Sequence, residues 1–315
     1  MIGKNHIIHF FFFISFIISN QGIAQVNGEV NVLDRDIFYI QYIPKTEISN
    51  DVNYQKISSK LNFPLFKSER LSVFNTIGLD IHNFNFTNNT LVTNLAEMDW
   101  FYNSNISLFT NYTLSRTWSL NSLLSLFYIS NFENQIALKD IKWNGNIFAE
   151  HTFYRKKEGY FQLGFGVGYM TLNGTTQINP IVQLKSRLNE QWSFVLGMPN
   201  TYLKWDFHQK HSLKILGDLN DFYANLNQPV LLSSKNIRQR VVFTTVSAGL
   251  DYNYWLKPSI GISMKAVYPI FGDYEIRDYN NNTLYDYDAS FDKPFFSIGI
   301  KFNPIRNLQN DLKPL

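Results

Sequence analysis

Asp80 and His82 stand two residues apart in the segment Leu71 to Ile81 and just beyond it. In an extended chain, residues i and i+2 share a face. An Asp beside a His can hold the imidazole as a general base toward water, so the pair is the best candidate for hydrolysis at the rim of a larger structure. A hydrogen-bonded polar pair is the ordinary alternative. No serine pairs with a histidine by sequence, and no nucleophile-elbow motif occurs. His208 and His211 flank a turn, but no carboxylate or third ligand accompanies them, and two solvated turn histidines is the plainer reading. The Asp/Asn-rich stretch Asp278 to Asp292 offers oxygen ligands without an ordered calcium-loop spacing. Gly164, Gly166 and Gly168 alternate along a strand pattern and do not open a helix, which excludes a nucleotide loop. No catalytic, cofactor-binding or metal residue is therefore assigned.

The elements that carry these residues are strands. Arg240 to Ile270 reads as two long arms joined at Leu256-Lys257-Pro258. Val242, Thr244, Val246, Ala248, Leu250, Tyr252 and Tyr254 fall on one side, with Thr245, Ser247, Gly249, Asp251 and Asn253 on the other. Strict period-two alternation over this length means a strand with one apolar and one polar face. Each arm exceeds the roughly 5–6 residues usual in soluble proteins and matches the roughly 9–11 that cross a bilayer at a tilt. Similar segments recur near 36–43, 54–63, 71–81, 105–114, 118–129, 141–153, 160–170, 178–188, 192–198, 201–207, 212–224 and 295–302. The fold class expected is all-β: a transmembrane antiparallel up-and-down β-barrel of about fourteen strands, with twelve as the alternative. A soluble sandwich or lipocalin-like barrel would have shorter strands and no rim of tryptophans.

Composition agrees. Aromatics make up 17% of residues and charges 17%, against roughly 25% charged in soluble domains, with a mean hydropathy of −0.18. A net charge of +3 without a basic run is too small to argue for nucleic acid, and no nucleic-acid partner is expected. The chain has no cysteine, which removes disulfides and thiolate chemistry. Lys4, the apolar run Ile7 to Ile18 and Gly22-Ile23-Ala24 have the layout of a secretory signal peptide. The expected organisation is a signal peptide at 1–24, a periplasmic lead-in at 25–35, the barrel at 36–303 and a periplasmic tail at 304–315.

Short connections (Phe66 to Glu69, Ser115 to Thr117, Arg155 to Gly159, Asn189 to Gln191, His208 to Lys210) alternate with longer ones. Outer-membrane barrels have short periplasmic turns and longer outer loops, so both termini are expected in the periplasm. Trp118, Tyr154, Tyr160, Trp192, Phe207 and Trp255 lie beside the short turns and are expected to form the periplasmic aromatic girdle. The polar faces supply the expected lumen lining: Lys56, Lys60, Asp80, Lys142, Glu150, Lys185, Arg187, Lys204, Asp206, Lys214, Asp218, Asp251, Lys265 and Lys301. Nine of these fourteen are cationic, so an open passage would lean toward anions, whereas charges paired across the lumen would fill it.

Several short motifs resemble the DUF6268 group of outer-membrane β-barrel proteins from Bacteroidetes. They are the Ala24-Gln25 exit, Ile37-Phe38-Tyr39, Leu61-Asn62-Phe63-Pro64, Gly197-Met198-Pro199 and Pro294-Phe295-Phe296-Ser297-Ile298-Gly299. The resemblance spans nearly all of the mature chain and implies the architecture without an activity. The expected role is a porin-like passive channel for small polar or anionic solutes. The alternatives are a non-conducting structural or surface barrel, and a hydrolase at the rim. The expected partners are outer-membrane lipids and the barrel-assembly machinery; no cofactor is expected.

Overall fold

The computed structural model describes residues 36–49, 52–86, 95–131, 140–154, 159–172, 174–197, 201–226, 228, 230, 239–287 and 293–304. The expected signal peptide, the lead-in and nearly all of the tail lie outside the described residues.

Fifteen strands follow in chain order: β1 Phe38–Ser49, β2 Val52–Lys67, β3 Leu71–Phe86, β4 Trp100–Thr113, β5 Trp118–Ser130, β6 Ile141–Tyr154, β7 Tyr160–Leu172, β8 Thr175–Arg187, β9 Trp192–Gly197, β10 Thr201–His208, β11 His211–Asn225, β12 Gln239–Lys257, β13 Ile260–Asp278, β14 Thr283–Tyr287 and β15 Phe295–Phe302. A 3₁₀ turn, Leu95–Met98, precedes β4. Each strand from β1 to β13 pairs antiparallel with the next. The ring closes through β15, where Phe302 lies opposite Phe38 on one side and Ile260 on the other. Among the described residues β14 pairs only with the far end of β13. The other fourteen strands form a closed antiparallel barrel, in which each strand is laddered to a neighbour on both sides over at least part of its length.

One end of the barrel, the turn end, carries the tight connections around residues 68–70, 114–117, 188–191, 209–210 and 258–259, together with the start of β1 and the end of β15. The other, the loop end, carries the longer connections. Alternation of short and long is not strict there: only two residues separate β1 from β2 and β7 from β8, and three separate β9 from β10. The Asp/Asn-rich stretch from Asp278 begins on the last residue of β13 and takes in all of β14. The Asp278 carboxylate organises the turn between them, accepting from the Asn280 and Asn282 backbone N–H groups at 2.8 Å each.

The outward positions form an apolar belt. Ile57, Leu61, Ile77, Leu79, Ile106, Leu124, Leu126, Ile147, Val167, Leu250, Met264, Ile298 and Ile300 are all exposed. Aromatic side chains flank the belt on both sides. Trp118, Phe153, Trp205 and Phe207 stand toward the turn end, and Trp100, Trp143, Tyr268, Phe271 and Phe296 toward the loop end. Trp192 stacks on Trp205 with ring centroids 5.4 Å apart, and Trp143 meets Tyr169 at 4.5 Å.

Register corrects half of the expected turn-end girdle. Trp118, Trp192 and Phe207 lie on the outward face. Tyr154 and Tyr160 are a cross-strand pair on the lumen register of Glu150 and Thr152, and Phe153 and Phe161 take the outward positions beside them. Trp255 follows Asp251 and Asn253 on the inward face, is 8% exposed, and packs against Gly261. Sitting near a turn in sequence is not enough to place a ring in the girdle, because parity decides which face it joins.

Candidate functional site

The interior divides into two halves of opposite chemistry. Toward the turn end lies a polar cavity of about 270 Å³. Toward the loop end the lumen is filled by side chains.

Around the cavity stand Lys56, Lys60, Lys214, Lys265 and Lys301, with Asp36, Asp80, Asp218, Asp221 and Asp251. Five ammonium groups therefore face five carboxylates, which removes the cationic excess counted from the strand faces alone. Geometry pairs them across strands. Lys56 Nζ is 3.5 Å from Asp80, and Lys301 Nζ is 3.8 Å from Asp36. Lys265 donates to Asp218. Asp251 accepts from Ser263 Oγ at 2.8 Å and Asn253 Nδ2 at 3.2 Å. Two lysines lie over rings, Lys301 above Tyr39 at 5.3 Å and Lys214 above Tyr202 at 5.0 Å.

The remaining expected lumen residues are elsewhere inside the barrel. Glu150 and Lys185 form a buried pair at 2.5 Å outside the cavity, on the walls of β6 and β8. Lys204 and Asp206 pair at 3.0 Å on successive inward positions of β10. Arg187 occupies the exposed last position of β8 at the turn end. Lys142 lies higher, 5.4 Å above the ring of Tyr223.

The loop-end half is an apolar layer. Ile48, Val52, Tyr54, Phe84, Met98, Phe101, Phe127, Phe243, Tyr274, Ile276 and Phe295 belong to one buried cluster. Its rings are in mutual contact: Tyr54 and Phe84 at 4.9 Å, Phe84 and Tyr274 at 5.0 Å, Phe84 and Phe243 at 5.2 Å, Tyr54 and Phe295 at 5.9 Å. The contributing strands come from both sides of the ring, so the layer spans the lumen. The loop-end part of β11 adds to the filling by crossing toward the opposite wall. Its Tyr223 reaches Lys142 of β6, its Asn225 Nδ2 donates to Asp140 at 3.0 Å, and Arg240 of the adjoining β12 donates to the Gly174 carbonyl at 3.2 Å.

No dyad forms at Asp80 and His82. The Asp80 carboxylate faces Lys56, while His82 Nδ1 is hydrogen-bonded to Tyr54 Oη at 3.0 Å. His82 is 3% exposed and lies directly under the aromatic layer, away from any mouth. His208 Nδ1 accepts from the Lys210 N–H at 3.1 Å, and His211 Nδ1 is hydrogen-bonded to Tyr252 Oη at 2.6 Å. Those bonds tie both rings into the turn and the neighbouring strand. Gly166 is required by contact: a Cβ there would lie 2.1 Å from the Ile147 carbonyl.

One cluster escaped the strand-face reading. Asp273, Glu275 and Asp286 bring carboxylate oxygens within 4.8 Å of one another on β13 and β14, beyond the belt. Arg277 and Thr283 donate to Glu275. Burial, a hydrogen bond with Glu275 and repulsion from Glu275 and Asp286 push Asp273 up to about 7. Burial opposes ionisation of Glu275 too, but hydrogen bonds from Arg277, Asp273 and Thr283 outweigh it and hold that carboxyl below its ordinary value. The pairing Glu275 opposite Asp286 creates this cluster, and it becomes visible only once the β13–β14 register is known.

The family described as "Domain of unknown function (DUF6268)" matches residues 30–303 of the sequence. No curated protein matches it. Solved structures that align with the chain include the NanC porin, at 7% identity over 84% of this chain and 99% of that one, with a TM-score of 0.36. LpxR from Salmonella typhimurium aligns at 10% identity over 84% and 99%, with a TM-score of 0.36. The COG4313 outer membrane channel from Pseudomonas putida F1 aligns at 10% over 84% and 92%, with a TM-score of 0.37.

Proposed function

This chain belongs to the DUF6268 family, a domain of unknown function, and from that premise and its own geometry we propose that it is an outer-membrane barrel with a porin-like polar lumen that is shut in this conformation. The observation that carries this is the two-faced wall: an exposed apolar belt between two aromatic bands, enclosing lysines and aspartates. A belt of this kind suits hydrocarbon, and closure satisfies the backbone without water. The gathering of the tight turns, the start of β1 and the end of β15 at one end supports a periplasmic position for that end. The same location makes membrane lipids and the barrel-assembly machinery its partners.

The cavity suits small polar solutes of either sign, because its charges balance. Passage requires displacement of the apolar layer, since a hydrophobic constriction stops water and ions by staying dry. A second role, a structural barrel that never conducts, is favoured by the completeness of that layer, in which Phe84, Phe101 and Ile276 have no exposed surface. A rim hydrolase has no support from Asp80 and His82, because the Asp80 carboxylate faces Lys56 and His82 Nδ1 is bonded to Tyr54 Oη, so the two do not form a dyad.

Single-channel recording of the refolded mature chain in a planar bilayer tests this. The wild type is expected to stay closed or open briefly, and Phe84→Ala with Phe243→Ala to conduct steadily with little ion preference. Insertion without conductance in both would leave the structural role.

A further inference from the structure

The wall stops short at one place. β9 has 6 residues and β10 has 8, while flanking β8 and β11 have 13 and 15. A tilted strand needs about 9–11 residues to cross a bilayer. The β8–β9 ladder reaches only Gln183 opposite Gly197, and the β10–β11 ladder only Thr201 opposite Gly217. Above these pairs, 175–182 of β8 and 218–225 of β11 continue with no ladder between them among the described residues. A roof closes the gap higher up, where Tyr223 meets Lys142 and Arg240 meets Gly174.

The cavity reaches this gap. It is lined from both faces of β11: Lys214, Asp218 and Asn220 on the lumen register, Gly217 and Asp221 on the opposite one. Exposed Thr201, at the tip of the short hairpin, lines it as well. Gly217 and Thr201 are exposed on the outer surface and line the same cavity as Lys214, Asp218 and Asn220, so the cavity reaches the outside beside this strand. Outside, the rim is apolar: Ile178 is 74% exposed, and Val182, Leu196 and Ile215 are exposed around it.

Given the membrane reading above, on which this rests, we propose that the gap is a lateral window in which an amphiphile from the surrounding leaflet lodges, its polar head in the lumen and its apolar chain outside. The apolar rim suits an acyl chain. Lys214, which lies over Tyr202, and Asp221, which also accepts from Thr244 Oγ1 at 2.8 Å, place both signs of charge on the cavity wall here, which suits a zwitterionic head of the phosphocholine type. Gly217 keeps the passage clear, since a Cβ there would meet nothing nearer than Thr201 Cβ at 4.0 Å.

The chain has no cysteine, so single-cysteine labelling is unambiguous. Bimane on Thr201→Cys, in phosphatidylcholine vesicles, is expected to be quenched both by doxyl-labelled phosphatidylcholine and by aqueous iodide. Leu79→Cys on the belt should respond only to the lipid, and Asn105→Cys in the cavity only to iodide. Response of Thr201→Cys to one quencher alone would overturn the window. Failure of Leu79→Cys to respond to the lipid would instead overturn the membrane reading. Native mass spectrometry with lysophosphatidylcholine tests occupancy: one adduct on the wild type, reduced at least tenfold in folded Gly217→Leu. Equal adducts on both, or none on the wild type, would overturn the lodged amphiphile.

Discussion

Lys185 Nζ lies 2.5 Å from Glu150 Oε1, and Asn121 Nδ2 donates to the other carboxylate oxygen at 2.7 Å. Three strands (β5, β6 and β8) are thus tied together on the inner wall by one carboxylate whose two oxygens are both engaged. A buried charge left without its partner is costly, typically about 3–5 kcal/mol, whereas removing both members together is often close to neutral. Lys185→Met is therefore expected to destabilise the barrel by about that amount. Lys185→Met with Glu150→Leu should recover most of the loss. Urea unfolding in vesicles, followed by tryptophan fluorescence, measures both, and equal losses in the single and double variants would contradict the assignment.

Period-two alternation made the strands legible, and their number, order and antiparallel sense follow from it. The apolar layer was legible too, in retrospect, as a change of residue type along the lumen face. Lys60, Ser58 and Lys56 lead up to Tyr54. Asp80 and His82 lead up to Phe84. Asn105 and Asn103 lead up to Phe101, and Lys301, Gly299 and Ser297 to Phe295. In each strand the inward series runs polar and then ends in an aromatic at the loop end. What one strand at a time does not reveal is the pairing of charges. Lys56 finds Asp80, and Lys265 finds Asp218, through registers set by neighbouring strands. The crossing of β11 toward β6 depends on the shortness of β9 and β10, which is a relation among four strands and not a property of any one.

At Gly166 the neighbouring β6 leaves no room for a side chain, with the Ile147 carbonyl 2.1 Å and Phe148 Cβ 2.4 Å from the place a Cβ would occupy. Gly166→Ala must therefore shift backbone, at a cost of about 1–3 kcal/mol typical of overpacking. Gly145 is a matched control on β6, since its nearest neighbours would be 3.7 Å away. Gly145→Ala is expected to stay within about 0.5 kcal/mol of the wild type. Unfolding midpoints measured side by side decide this, and equal effects would contradict the close approach.

The β13–β14 hairpin should loosen as pH rises. Asp273 stands beyond Phe271, where the exposed belt of β13 ends, and burial with the neighbouring Glu275 and Asp286 raises its pKa to about 7. Between the ordinary value of 3.8 and about 7, the folded hairpin keeps a proton that the unfolded one has lost. The folded form binds more protons there, so stability falls through that window and levels off above it. Amide exchange of 283–287, corrected for intrinsic rate, is expected to show more protection at about pH 5 than at about pH 8. Asp273→Asn should abolish the difference. Protection that rises with pH would contradict the shared proton.

The aromatic layer is the part of the structure on which the functional proposal turns, and conductance tests it most directly. The wild-type barrel in a planar bilayer under a salt gradient should show little sustained current. Phe84→Ala with Phe243→Ala removes two rings that touch at 5.2 Å in the middle of the layer. That variant is expected to give long openings with a reversal potential near zero, as the balanced cavity requires. A wild type that conducts steadily, or a folded and inserted double variant that carries no current, would contradict a polar passage closed by this layer.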